Sequence, residues 1–156
     1  MFSFIFFTAC NSPSKAFDLS VGQATAEIDG KEIVFDSSWT LAGTTLQINL
    51  EDTDQTSMIM IRLQQNEEGL QISEISDYPT TFSFGNTQNA SATFYPPDSN
   101  LSANTQEDSE GLFELEKYEG TDLVGNFSCT VEDQEGLVYD IDSGYINASE
   151  LEIFLE

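Results

Sequence analysis

Apolar residues recur at every second position through most of this chain, in short runs parted by turn residues. Successive side chains of a strand point to opposite faces, so such a run can bury one face and wet the other. Ala24, Ala26 and Ile28 alternate with Thr25 and Glu27. Ile33 and Phe35 follow across Asp29-Gly30, a pair suited to the positive φ that a two-residue hairpin turn demands. Leu46, Ile48 and Leu50 form the next run, and Glu51-Asp52-Thr53-Asp54 a turn. Ser57 to Gln64 reads as a better-buried strand, because Met58 and Met60 make the second face apolar too. Tyr78 to Phe84, Ala90 to Tyr95, Leu112 to Tyr118, Leu123 to Val131 and Val138 to Ile141 continue the pattern. Asp98 to Gly111 reads as loop and Leu70 to Ile75 is ambiguous. In Gly144 to Leu155 the apolar parity changes, which predicts a β-bulge near Ser149. Helical periodicity is not sustained anywhere. The chain is therefore expected to be all-β, an antiparallel β-sandwich or partly open barrel of about eight to ten short strands.

Charge narrows the partners. Asp and Glu number 28 against 4 Lys and Arg, a net charge of −24 in 156 residues. A small domain ordinarily carries roughly 2–8. Such a surface repels nucleic acid and anionic headgroups, so no nucleic-acid partner is expected. With so few cations, most carboxylates must be solvated or screened by salt. The chain has no histidine, which removes His-based triads and most Zn, Cu and Fe sites.

The N-terminus departs from the alternation. Phe2 to Phe7 is a short, largely apolar run closed by Thr8-Ala9-Cys10. It is too short to span a bilayer, which takes about 20 apolar residues. A buried first strand is one reading, and a secretory signal is the favoured one. Thr8-Ala9-Cys10 resembles the lipobox of bacterial lipoproteins. The resemblance implies cleavage before Cys10 and a lipid on its sulfur, anchoring the protein to a membrane. Residues 1–9 would then be the signal peptide, 10–22 a lipidated tether and 23–156 the β domain. No basic residue precedes Lys15, so the true translation start is expected upstream of Met1. Cys129 would have no partner within the chain, and its parity with Phe127 and Val131 makes it a core residue.

Two groups of residues could bind a ligand. Asp140 and Asp142 stand two apart before Ser143-Gly144, in what reads as a turn, and Glu51, Asp52 and Asp54 crowd another. Calcium takes six to eight oxygen ligands, which acidic turns can supply, although Asp is also simply a turn residue. Calcium is the one cofactor these residues suggest. Trp39, Tyr78, Phe94 and Tyr95 could build a stacking platform for a sugar or peptide, although aromatics in strands also serve as core. Carboxylate pairs are plentiful, so a glycosidase is open by residue type. No residue is assigned a catalytic role.

Ala26-Glu27-Ile28-Asp29-Gly30-Lys31, Leu46-Gln47-Ile48, Gly125-Asn126-Phe127-Ser128 and Gly144-Tyr145-Ile146 together resemble small all-β lipoproteins of Bacteroidota, families largely of unknown function. The resemblance covers most of Gln23 to Ile153 and implies no catalytic residue. The expectation is a lipid-anchored protein of a bacterial cell envelope, on the periplasmic or surface face of the outer membrane. It would act as a non-enzymatic binding or structural module. The alternatives are a calcium-stabilised module binding sugar or peptide, and a carboxylate-dependent hydrolase.

Overall fold

The computed structural model describes residues 15–54, 56–86 and 88–151. The expected signal peptide and Cys10 lie outside the described residues. The chain is all-β. Ten strands form among the described residues: β1 (Gln23–Ile28), β2 (Lys31–Ala42), β3 (Thr45–Asp52), β4 (Met58–Leu63), β5 (Thr80–Ser83), β6 (Ala90–Tyr95), β7 (Ala103–Asn104), β8 (Gly111–Glu119), β9 (Asp122–Glu132) and β10 (Val138–Glu150).

Eight of these close on themselves. The antiparallel ladder runs β1-β2-β3-β4-β6-β7-β9-β10 and returns to β1, which makes the architecture a barrel. β8 lies along β9 from Asp122 to Cys129, β7 takes over at Glu132, and β5 is added outside β8. β1 is short. Beyond Gln23 its two neighbours meet directly, and β10 runs parallel to β2 at Ser149 and Glu150.

The alternation in the sequence explains the filling. Ala24, Ala26, Leu46, Ile48, Leu50, Ile59, Ile61 and Leu63 all turn inward and are fully buried. Small residues (Ala24, Ala26, Ala90, Ala92, Ala148) share this interior with Phe35, Phe82, Phe94, Phe113 and Phe127. Mixing small and large side chains is how a narrow barrel is packed without a lumen. The β1–β2 hairpin turns at Asp29 and Gly30, with φ of 49° and 83°, as Asp-Gly predicts. Asp29 Oδ1 then accepts from the Asp140 amide at 2.9 Å, which pins the turn to β10.

Four expectations are corrected. The bulge in β10 is at Asp142–Ser143 rather than near Ser149: Ile141 pairs with Cys129, and Gly144 with Phe127. Ser143 there has φ 49°. The supposed acidic turn at Asp140 to Gly144 therefore lies within the first half of a thirteen-residue strand. The expected loop from Asp98 to Gly111 contains β7, which the ladder needs for closure. Last, the second half of the expected tether is packed. Lys15–Asp18 forms a 3₁₀ turn with Ala16 buried, and Asn147 Nδ2 donates to Leu19 O at 2.8 Å. The Gly22 amide donates to Asn147 O at 2.7 Å.

Cys129 sits inside, 3 % exposed, as its parity implied. Burial, with the nearby charge of Asp142, pushes its thiol up to about 12. Burial also raises Tyr78, Tyr118 and Tyr139, with Glu150 adding at Tyr118 and Asp133 at Tyr139. A raised folded-state pKa means that the folded chain keeps a proton the unfolded chain gives up. This stabilisation is complete below the ordinary thiol range and is lost as pH rises toward the folded value. Denaturant midpoints should therefore fall steadily above about pH 9, and Cys129→Ala should shallow that fall. A midpoint flat to pH 11 would contradict the assignment.

Candidate functional site

The inward side chains are packed together, and among the described residues two hollows open on the outer face. On the outer face one cross-strand row can be followed through six strands. Val34 of β2 pairs with Thr25 of β1, and Thr25 with Tyr145 of β10. Tyr145 pairs with Asn126 of β9, Asn126 with Glu114 of β8, and Glu114 with Thr81 of β5. Each points outward because its chain neighbours point in: Gly144 and Ile146 flank Tyr145, Gly125 and Phe127 flank Asn126, and Phe113 and Leu115 flank Glu114.

The Tyr145–Thr81 part of this row lines a groove of about 390 Å³, with Leu112, Ser128 and Ser143 along one side. Asn126 Nδ2 donates to Glu114 Oε1 at 3.2 Å, which holds amide and carboxylate side by side. Thr81 Oγ1 donates to Glu67 Oε2 at 3.0 Å at the far end. At the near end the Lys15 ammonium lies 5.7 Å from the Tyr145 ring centroid, within cation–π range. The groove floor follows from the bulge. A Cβ on Gly144 would come within 2.3 Å of the Phe127 ring, so only glycine lets β10 lie this close over that ring.

The aromatic residues proposed from sequence do not gather into one platform. Trp39 is 3 % exposed, donates Nε1–H to Thr121 O at 3.2 Å and meets Tyr118 edge-on with centroids 5.2 Å apart. Phe94 is buried against Tyr139 in the same manner, centroids 5.2 Å apart. Both are core residues. Tyr78 is half-buried against the core. Tyr95, 40 % exposed, lines a separate hollow of about 460 Å³ with Glu51, Met58 and Pro96.

The acidic residues are likewise spread. Asp140 and Asp142 alternate on the outer face of β10, opposite Thr130 on β9 and Glu27 on β1 respectively. Asp52 is occupied by its own turn: Oδ1 accepts from the Asp54 amide at 3.0 Å, and Oδ2 from Thr56 Oγ1 at 3.1 Å and Ser57 Oγ at 3.2 Å. Such local bonds are what Asp contributes to a turn. Glu51 faces Asp36 on one side and Met58 on the other, and Asp54 is exposed in the turn. Among the described residues no group of three or more Cys, Asp or Glu is placed to hold a metal ion.

The sequence does not mark Tyr145, Asn126, Glu114 or Lys15 as binding residues. The alternation does assign Asn126 to the outer face, but nothing in one strand's sequence says which residue of the next strand lies beside it. Comparison with protein-family models, curated proteins and solved structures finds no match for this chain.

Proposed function

We propose that this chain is a lipid-anchored, non-enzymatic binding module of a bacterial cell envelope. The observation that carries the binding role is the polar groove on the outer face of β5, β8, β9 and β10, set on a filled barrel. A ligand site needs concavity and a few convergent polar groups on rigid elements, and this groove supplies both. The anchor rests on Thr8-Ala9-Cys10.

Expressed behind a complete signal in a suitable bacterium, the protein should fractionate with membranes, and Cys10→Ala should release it or block its maturation. Mass spectrometry of the native protein showing an uncleaved, unmodified Met1 terminus would remove the anchor from this reading.

A further inference from the structure

We propose that the groove binds a linear, uncharged oligosaccharide lying across the strands. The inference rests on the reading of this face as a binding surface and names its ligand class.

Direction is the first argument. The groove part of the row, from Tyr145 to Thr81, crosses four strands in three steps of about 4.8 Å, a track of about 14 Å. That spacing is close to the length one pyranose ring adds to a chain, so a glycan laid along the row meets a fresh side chain at each ring. A peptide gains its affinity for a sheet by pairing backbone groups along an edge. Across a face, those groups have no partners.

The donor set is the second. Sugar hydroxyls both donate and accept, and neighbouring ones ask for a donor and an acceptor side by side. Glu114 and Asn126 present that pair. Their mutual bond uses Oε1 and one N–H, leaving Oε2, the amide oxygen and the second N–H for a ligand. Tyr145 adds a rigid apolar ring with a polar tip, suited to the mixed faces of a pyranose.

Charge is the third. A chain of net charge −24, with Glu114 in the groove and Glu67 on its rim, repels phosphate, sulfate and uronate ligands. A cationic ligand would be drawn in by the same field, but would meet the Lys15 ammonium at Tyr145. A neutral ligand escapes both conflicts.

The test is calorimetry on the full chain with cello-, malto-, manno- and xylo-oligosaccharides, an oligogalacturonate and an oligolysine. At least one neutral oligomer should bind, more tightly as it lengthens. Tyr145→Ala and Asn126→Ala should each weaken it about tenfold, while Tyr95→Ala in the other hollow should leave it unchanged. If Tyr145→Ala loses its β signal by circular dichroism, Tyr145→Phe and Asn126→Ser replace the pair. Failure of every neutral oligomer to bind overturns the saccharide assignment. If oligolysine alone binds, and groove variants abolish that binding, the ligand class is wrong while the groove remains the binding surface. If every measured affinity is indifferent to the groove variants, both readings fall.

Discussion

Gly111→Ala should be the most damaging single methyl in this molecule. At Gly111 β8 begins on β9, just past the point where β7 leaves it, and φ is +131°, a region that side-chain-bearing residues rarely enter. A Cβ built there would meet Ser128 O at 2.0 Å and Cys129 Cα at 2.7 Å. These are backbone atoms of the paired strand, so no rotamer change relieves the contact. Backbone strain and overpacking together put the loss at about 4 kcal/mol. Against the 5–15 kcal/mol typical of a native domain, that is a fall of about 10 °C in Tm. Gly43→Asn is the control: φ there is +62° and nothing lies within 4 Å of the added atom, so it should stay within about 1 kcal/mol of the parent. Equal melting temperatures for the two variants would mean that β8 does not dock on β9 as described.

Phe113→Ala should come close to it by the opposite mechanism. Phe113 is fully buried, meets Phe82 edge-on at 6.4 Å and stacks on Phe127 at 6.2 Å. Its ring also covers Gly125, where a Cβ would lie only 2.8 Å from the ring. Truncation leaves a hole bordered by two phenyl rings and a backbone that has no side chain to fill it. Large-to-small changes of this kind cost about 3–5 kcal/mol, and urea unfolding should show it as a lower midpoint at unchanged slope. Phe113→Leu should cost about 1.5 kcal/mol. A loss below about 1 kcal/mol for the alanine variant would show that β5 and β8 are not part of one core with β9.

These two sites mark what the sequence could and could not tell. The inward faces of β1, β3, β4 and β9 were legible because burial on one side of a strand writes itself into every second residue. Ala24, Leu46, Ile59 and Phe127 were placed correctly on that ground alone. The Asp29-Gly30 turn was legible because few pairs accept its backbone. Closure into a barrel was not, since a sandwich and a barrel impose the same alternation on each strand. Trp39 reads as a candidate binding residue because the apolar alternation after the turn fades beyond Phe35, at Ser37, whereas β2 continues to Ala42 and carries Trp39 inward in phase with Phe35 and Ser37. The site was the least legible part. Glu114, Asn126 and Tyr145 become neighbours through register, which pairing and the Asp142–Ser143 bulge set together. An alternating pattern cannot record where the extra residue in such a bulge falls.

The closing pair of the barrel also fixes when it can form. β1 is bonded to β2, the next strand in the chain, and to β10, the last. Across this seam Asn147 reaches back 128 positions to Leu19. Joining ends so far apart adds little to the equilibrium cost, because loop entropy grows only with the logarithm of length, but non-local pairing slows the search for the native state. A chain emerging N-terminus first from a ribosome or a translocation channel must therefore leave β1 and β9 without their shared neighbour until its final strand is out. During that interval both present unpaired backbone to any other chain nearby. This places the hazard of the β1–β10 seam in biogenesis, since the finished ring pairs both of these strands and, among the described residues, leaves the short outer strand β5 at an edge of the sheet.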